Sequence, residues 1–396
     1  MDFTKLQNVL DRIVSVYHAP GVDCRVYIDH QPVFRYYTGL RDAENHIPMD
    51  GTELYLIFSM TKMLTCTGAL QLLEKGVYRL DDPISMYLPE FAHMKVSKNG
   101  MDATAGAKVA SGKGMAEAEE QTEVCDAKTP ITVKHLFTMG AGLDYVLDDA
   151  PIKRALAEGK TSTRDLVGAM AEKVLGFEPG TRYRYSLCHD VLGALIEVWS
   201  GQKFGEYMKE HVFEPIGMHR TFFGVPKDEE RLSQMAARYN YNAEKYPERL
   251  PIECRFILSE EYESGGAGLT SCTDDYALFL DMLACGGVAA NGNRILKEET
   301  VALMQKNHLE GAQKKDFDNM RTGYGYGLGV RTHIDPARSG SKSPVGEFGW
   351  DGAAGAFSMV DTKHKVSLTY FQHVHNWDIA YQQELKAGLY DSLCED

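Results

Sequence analysis

Residues 54–62 read LYLIFSMTK, an apolar run that ends at Ser59 and leads into a helix predicted over about residues 60–75. Gly76 provides a natural left-handed stop for that helix. Residues three positions apart share one helix face, so the amine of Lys62 should lie near the hydroxyl of Ser59. Serine is a weak nucleophile unless a base lies within hydrogen-bond reach. The spacing therefore makes Ser59 a candidate nucleophile and Lys62 its candidate activating amine.

The predicted position of Ser59 at a helix start adds to this chemistry. The free backbone N–H groups and positive field of a helix N-terminus favour an oxyanion at Ser59 and disfavour a proton on Lys62. Two further S-x-x-K patterns, at residues 200–203 and 339–342, lie in a turn and in a Ser/Gly-rich loop. Only Ser59 stands between an apolar run and a long helix. The four residues alone also fit a surface serine and lysine.

A tyrosine follows a turn later in the chain. Residues 176–187 read GFEPGTRYRYSL and place Tyr185 just ahead of an apolar helix predicted over residues 191–199. Tyr185 could be a packing residue. Beside a lysine, its phenol could instead relay a proton to a leaving group, which makes Tyr185 a candidate proton shuttle.

Residues 349–353, GWDGA, precede a strand-like run. Glycine lets a backbone approach a bound group closely, and a strand edge beside a nucleophile can donate an N–H to an oxyanion. The alternative is a plain β-turn with a buried tryptophan.

Together, these three elements resemble the motifs of the serine β-lactamase and penicillin-binding-protein superfamily. The chain looks closest to class C β-lactamases and family VIII carboxylesterases. The resemblance covers most of the chain and includes HLFTMGAGL (135–143), VFEPIGM (212–218), GGAGLTSCTDDYALFLDML (265–283) and GYGYGLGV (323–330).

The resemblance implies a fold and a set of roles. Ser59 would be the acylated nucleophile, Lys62 the lysine of the first motif, and Tyr185 the general base or acid of the second. The backbone N–H groups of Ser59 and Ala353 would form the oxyanion hole. The implied fold class is α/β (α+β) and β-lactamase/transpeptidase-like, with an antiparallel sheet flanked by helices plus an all-helical region.

Two departures from the family pattern bear on the substrate. Leu187 stands where the second motif usually ends in Asn, and leucine offers no hydrogen-bonding group. Trp350, Asp351 and Gly352 stand where a Lys or His with a Thr or Ser usually holds a carboxylate. Asp351 would repel an anion if it faced the site, and a lost charge-assisted hydrogen bond weakens binding by roughly 1.5–3 kcal/mol. These four substrate-contact positions look like those of family VIII esterases and favour neutral esters or amides.

Strand-like segments lie near both ends of the chain, and helical patterns dominate between them. We expect a sheet domain from residues 1–58 and 255–396, a mainly helical region over 59–254, and an active site between them. Residues 98–128 hold small and charged side chains with few large apolar ones. They are expected to form a mobile loop, as either a lid over the site or a tolerated insertion.

Composition narrows the choice of partners. The 396 residues carry 42 Lys+Arg against 56 Asp+Glu, a net charge of −14 that disfavours nucleic acid. No stretch reaches the roughly 18 apolar residues of a membrane span. The eight cysteines form no C-x-x-C pair, so a zinc site is not indicated, and we expect neither metal nor cofactor. Scattered cysteines in a cytoplasmic chain are expected to be mostly buried free thiols. The amphipathic start lacks the features of a signal peptide, so we expect a cytoplasmic protein. The oligomeric state is not readable.

Three functions stay open at this point. The first is an esterase that works through an acyl-enzyme on a small-molecule ester or amide, or an acyltransferase if an alcohol or amine replaces water. The second is a β-lactamase or D-amino-acid peptidase, which needs another cation, and Arg331 is a candidate. The third is a non-catalytic binding or sensing module, because a fold alone does not fix function.

Overall fold

The computed structural model describes residues 1–98 and 123–393. Within them the α-helices, numbered α1 to α14, are Thr4–Ser15, Thr61–Glu74, Val133–Phe137, Ala150–Ala157, Thr163–Met170, Cys188–Ser200, Phe204–Met208, Glu214–Ile216, Glu229–Gln234, Thr273–Ala284, Glu298–Gln305, Gly311–Met320, Pro336–Ser339 and Ala380–Leu393. Short 3₁₀ helices span Phe58–Met60, Ile84–Met86 and Pro89–His93, and a π-helical turn spans Lys209–Phe213.

The strands, numbered β1 to β17, are Gly21–Ile28, Gln31–Asp42, Ile47–Pro48, Tyr55–Leu56, Lys95–Ser97, Val124–Asp126, Val174–Leu175, Phe222–Phe223, Arg238–Tyr241, Pro247–Leu250, Leu269–Ser271, Tyr324–Tyr326, Arg331–His333, Phe348–Gly349, Phe357–Asp361, Val366–Phe371 and Val374–His375. Most of the predicted loop at 98–128 lies outside the described residues. The strand β6 at its far end pairs with β5.

An eight-stranded sheet joins the two ends of the chain. Its strand order is β12-β13-β14-β15-β16-β1-β2-β3, and its neighbouring strands are antiparallel. Strands β1 and β16 are neighbours inside the sheet, with Cys24 opposite Tyr370. Three strands come from the first 50 residues and five from the segment after residue 320, as the strand-like patterns predicted. The predicted antiparallel sheet with helices is confirmed, whereas the domain division stays a prediction.

Helices cover both faces of this sheet. In β16 the side chains of Leu368 and Tyr370 join one apolar cluster with residues of α1 and α14. Phe371, which points to the opposite face, contacts the ring of Tyr276 on α10. Because successive side chains of a strand point to opposite faces of the sheet, β16 contributes side chains to two separate hydrophobic cores.

Helix α2 occupies the middle of the molecule. Eleven of its fourteen residues are buried, among them Lys62, and it packs against α6. A helix that is buried on all sides belongs to the interior of a large domain. This burial fixes the position of Ser59, which lies in the 3₁₀ turn immediately before α2.

Candidate active site

The backbone just before Ser59 adopts an uncommon conformation. Phe58 has a φ of +45°, in the left-handed region that costs a non-glycine residue about 1–3 kcal/mol. Its buried ring makes edge contacts with the rings of Phe256 and His375, at 6.3 and 5.2 Å between centroids. This packing holds the turn that presents Ser59 at the tip of α2.

The structure brings the three predicted catalytic side chains together at one oxygen. The hydroxyl of Tyr185 donates to Ser59 Oγ at 2.6 Å, and Lys62 Nζ donates to the same atom at 3.4 Å. Lys62 is fully buried and Tyr185 is 6% exposed. The arrangement can pass a proton between the hydroxyl, the amine and the phenol.

The amine of Lys62 has two closer partners than Ser59. Its Nζ donates to the carbonyl oxygen of Gly266 at 2.6 Å and to Tyr145 Oη at 3.0 Å. The ring of Tyr145 stacks on that of Tyr185 with 5.4 Å between centroids, and Lys62 Nζ lies 4.6 Å from the Tyr185 centroid. Three acceptors thus surround the amine and fix its position below the two aromatic rings.

Sequence reasoning missed Tyr145 and a buried carboxylate behind Lys62. Asp190 Oδ1 accepts hydrogen bonds from Tyr262 Oη at 2.8 Å and Ser264 Oγ at 2.6 Å. Burial raises the pKa of Asp190, an effect opposed by these hydrogen bonds and by the charge of Lys62. A Cβ on Gly266 would lie 2.6 Å from Asp190 Oδ2 and 3.3 Å from Lys62 Nζ, so the backbone requires glycine there.

The signals for these residues in the sequence are weak. Tyr145 follows the segment HLFTMGAGL by two positions, and Gly266 lies in GGAGL. Both segments belong to the family resemblance, but no local spacing connects either of them to Lys62. Their contact with Lys62 spans 83 and 204 positions of sequence.

Trp350 and Gly352 of the third predicted motif lie next to Tyr185 and to the turn before Ser59. Trp350 Nε1 lies 3.4 Å from Tyr185 Oη and donates to it, and the two rings stack at 5.7 Å. A Cβ on Gly352 would lie 2.6 Å from the carbonyl oxygen of Ile57, so only glycine lets this turn pack so close to the Ser59 turn. Ala353 follows directly and lines the same cavity as Ser59.

This cavity, called the Ser59 cavity below, has a volume of about 390 Å³. It is lined by Ser59, Tyr185, Met320, Arg321, Trp350, Asp351, Gly352, Ala353, Asn376, Trp377 and Ile379. Six predicted site residues (Ser59, Tyr185, Trp350, Asp351, Gly352 and Ala353) therefore face one opening, and buried Lys62 lies behind Ser59.

Asp351 lines the Ser59 cavity but is not an isolated negative charge. Its carboxylate forms an ion pair with Arg321 and lies 3.7 Å from Arg331 Nη1. Arg321 also donates to Gln382 Oε1 at 2.7 Å. The repulsion of anions expected for an isolated Asp351 is therefore offset by Arg321, a cavity residue that the sequence analysis missed.

Arg331, the candidate replacement cation, lies in a buried ion cluster. It is 1% exposed and donates to Glu347 Oε1 and to the carbonyl oxygen of Ser358, both at 2.9 Å. Burial favours the neutral form of Glu347, but the charges of Lys386 and Arg331 outweigh it and lower the pKa of that carboxyl. Arg331 is not among the residues that line the Ser59 cavity.

Leu187 is buried at the residue before α6, and its backbone N–H donates to the carbonyl oxygen of Asp144 at 2.9 Å. It is not among the residues that line the Ser59 cavity. Leucine in place of the usual asparagine removes an amide from this position, and the expected preference for neutral substrates stays a prediction.

One group of described residues consists of side chains of the types that bind metal ions. His30, Asp281 and Cys285 bring one potential ligand atom each within 4.8 Å of one another. The carboxylate of Asp281 already accepts from the backbone N–H of His30 at 3.1 Å and lies 2.7 Å from its Nδ1. These contacts satisfy the carboxylate from within the protein, and none of the three residues lines the Ser59 cavity.

The Asp351→Asn variant should release Arg321 as a free cation in the Ser59 cavity. A new charge-assisted hydrogen bond to a substrate carboxylate would raise kcat/KM for nitrocefin by about tenfold relative to p-nitrophenyl acetate. Steady-state kinetics with both substrates measure this ratio. Asp318→Asn, which breaks a surface pair with Arg338, is the matched control and should leave the ratio unchanged. An unchanged ratio in Asp351→Asn would show that Arg321 does not reach the substrate.

Comparison with known proteins identifies a family and several relatives by sequence. A family model described as beta-lactamase matches residues 6–378. The Mycobacterium tuberculosis protein Rv1367c is 30% identical over 346 residues, which are 85% of this chain and 81% of that protein. Esterase EstB of Burkholderia gladioli is 25% identical over 379 residues, 90% of this chain and 86% of the esterase.

A solved structure shares the fold along nearly the whole chain. EstCE1, described as a hydrolase with promiscuous acyltransferase activity, superposes with a TM-score of 0.77 at 22% identity. The match covers 98% of this chain and 97% of EstCE1. At this identity the likeness concerns the fold, which agrees with the α/β class predicted from the sequence.

Proposed function

The chain belongs to the beta-lactamase family, as its motifs predicted, and from this premise we propose that it is a serine carboxylesterase acting on small neutral esters. The observation that carries the proposal is the meeting of Tyr185 Oη and Lys62 Nζ at Ser59 Oγ, 2.6 and 3.4 Å away. A non-catalytic sensor would not require a hydroxyl, an amine and a phenol in this arrangement beside an open cavity.

The proposed reaction runs through an acyl-enzyme. With Lys62 as an uncharged amine, Ser59 Oγ attacks the ester carbonyl and gives its proton to the Lys62–Tyr185 pair, while the N–H groups of Ser59 and Ala353 bind the oxyanion. The carbon–oxygen bond to the alcohol then breaks, and Tyr185 protonates the leaving oxygen. A water molecule attacks the acyl-enzyme and gives a proton to the same pair. The bond between the acyl carbon and Ser59 Oγ then breaks, the pair returns the proton to Ser59 Oγ, and the carboxylic acid leaves.

The choice of an ester over a β-lactam rests on the charges around the Ser59 cavity. Trp350 stands at the position of the usual cation and offers an indole N–H that is already used by Tyr185. Arg321 faces the cavity, but its charge is paired with Asp351. A substrate carboxylate beside the scissile bond would therefore have to compete with Asp351 for Arg321.

Acyl transfer is compatible with the same site. An alcohol or amine that reaches the acyl-enzyme in place of water would form a new ester or amide, with the proton again passing to Tyr185 and Lys62. The name of the relative EstB supports hydrolysis of esters as the first activity to test. The β-lactamase or D-amino-acid peptidase alternative keeps one supporting observation, the presence of Arg321 in the cavity.

A two-substrate assay tests the proposed function. We expect kcat/KM for p-nitrophenyl acetate or butyrate to exceed that for nitrocefin by at least about tenfold, the factor lost with one charge-assisted hydrogen bond. Efficient nitrocefin turnover with negligible ester turnover would favour the β-lactamase alternative. Absence of turnover with all three substrates would favour a binding or sensing role.

A further inference from the structure

A second cavity, called the side cavity below, adjoins the Ser59 cavity and has a volume of about 1050 Å³. The two cavities share Ala353 and Asn376 in their linings, and Phe58, the residue before Ser59, also lines the side cavity. A cavity of this size accommodates a ligand much larger than acetate. A substrate bound at Ser59 can therefore extend past Ala353 into the side cavity.

The position of Tyr185 assigns the two halves of an ester to the two cavities. Tyr185 lines the Ser59 cavity but is absent from the lining of the side cavity. Under the proposed mechanism the leaving alcohol takes its proton from Tyr185, so the alcohol lies in the Ser59 cavity. The acyl group extends from the carbonyl carbon in the other direction, towards the side cavity.

Apolar side chains form much of the wall of the side cavity. Phe58, Phe223, Ile252, Phe256 and Ile257 are among them. Such a wall suits a hydrocarbon chain, since burial of each CH₂ group is favourable. The side cavity thus offers room and a suitable surface for an extended acyl chain.

Arg238, on β9, lines the side cavity beside these apolar side chains and carries a positive charge without an ion-pair partner among the described residues. One N–H of its guanidinium donates to the backbone carbonyl oxygen of Glu253, and its Nε is buried without a hydrogen-bond partner. No carboxylate of the described chain forms an ion pair with it; the exposed Glu253 carboxylate acts on it only from a distance. Burial lowers the pKa of Arg238, and the positive charge of Arg255 lowers it further, whereas the negative charge of Glu253 opposes this shift.

The other polar groups of the side cavity do not supply the missing counter-charge. Lys227 Nζ is already paired with Glu260 Oε1 at 2.7 Å, and both side chains are exposed. His375 Nε2 is buried without a partner. Burial and the positive charges of Arg238 and Arg255 lower the pKa of His375 to about 4, so this side chain is neutral at pH 7.

We propose that the side cavity binds an acyl chain whose far end carries a carboxylate, and that Arg238 binds this carboxylate. Guanidinium and carboxylate can form two parallel hydrogen bonds, and the apolar walls strengthen them by excluding water. The preferred substrates are then monoesters of dicarboxylic acids, which the enzyme hydrolyses to the dicarboxylate and the alcohol. This inference rests on the proposed esterase function and adds a substrate class to it.

Three esters and two variants test the proposal. p-Nitrophenyl acetate is too short to reach the side cavity, p-nitrophenyl octanoate fills it without a charge, and mono-p-nitrophenyl suberate has the same chain length with a terminal carboxylate. We expect wild type to prefer the suberate over the octanoate ester. Arg238→Gln should lower kcat/KM for the suberate ester by about tenfold to a hundredfold and leave the other two esters unchanged.

The matched control is Lys227→Gln, which removes a charge from the same cavity that is already paired with Glu260. It should leave the selectivity for suberate unchanged. Arg238→Lys keeps a positive charge and should retain part of the preference, which separates charge recognition from a folding defect. Equal loss for all three esters in Arg238→Gln, or an octanoate preference in wild type, would overturn the proposal.

The ester assays distinguish a side cavity that does not bind carboxylates from a protein that is not an esterase. Turnover of the acetate and octanoate esters without a preference for the suberate ester would contradict the side-cavity proposal alone. If no ester is turned over, calorimetry with free suberate still tests the cavity. Suberate binding that is lost in Arg238→Gln would support it, and equal or absent binding in both proteins would contradict it.

Discussion

Replacement of Ser59 by alanine should abolish ester turnover. The variant lacks the oxygen on which Tyr185 Oη and Lys62 Nζ converge, so no acyl-enzyme can form. Loss of a catalytic serine typically lowers kcat by orders of magnitude, and we expect a fall of roughly 10³-fold or more. The measurement is the initial rate with p-nitrophenyl butyrate.

Ser200→Ala is the matched control for this variant. Ser200 and Lys203 repeat the S-x-x-K spacing, but the hydroxyl of Ser200 donates to the carbonyl oxygen of Ile196 at 2.7 Å on a helix end. Activity should survive there. Equal activity of Ser59→Ala and wild type would mean that another group attacks the ester.

Replacement of Lys62 by methionine should lower kcat by about 100-fold or more, the usual size of a general acid–base contribution. Methionine fills the space of the lysine stem but cannot exchange a proton with Ser59. It also leaves the carbonyl of Gly266 and the hydroxyl of Tyr145 without their donor, so stability should fall by about 1–3 kcal/mol. Steady-state rates and thermal unfolding, measured on the same samples, separate the two effects.

Tyr185→Phe is the companion variant to Lys62→Met. It keeps the ring that stacks on Tyr145 and Trp350 and removes only the hydroxyl, so the fold should be unaffected. A loss of about 100-fold is again expected. Lys203→Met, in the second S-x-x-K pattern, should change neither rate nor stability. Mild losses at both Lys62 and Tyr185 would show that their catalytic roles are wrong.

The sequence predicted local parts of the site best. Ser59 and Lys62 lie three residues apart, so helix geometry alone brings their side chains near one another. Tyr185 lies 126 positions from Ser59, and its contact was predicted through the family resemblance rather than from spacing. The neighbouring strands β1 and β16 likewise come from opposite ends of the chain, and strand-like patterns there sufficed to predict a shared sheet.

The charge balance of the site could not be predicted. Whether Asp351 repels an anion depends on Arg321, which lies 30 positions away in sequence and pairs with it only in the folded chain. Arg331 looked available as a cation, but its guanidinium is buried against Glu347. Which charged side chains form ion pairs depends on contacts between distant segments of the folded chain, and no local pattern in the sequence indicates these contacts.

Several sequence-based expectations stay predictions. Residues 99–122, the main part of the predicted loop, lie outside the described residues, so the lid and the tolerated insertion both stay predictions. In the described chain no helix is long and apolar enough to cross a membrane. The seven cysteines that the structure describes are free, as predicted, while the expected cytoplasmic location is untested.

Covalent labelling tests the central claim most directly. Wild-type protein treated with a fluorophosphonate should gain one adduct, and peptide mapping should place it on Ser59. In the proposed mechanism Lys62 and Tyr185 activate that oxygen, and Ser59 lines an open cavity. The adduct should be absent from Ser59→Ala. An unlabelled wild type, or an adduct on a different serine, would contradict the account.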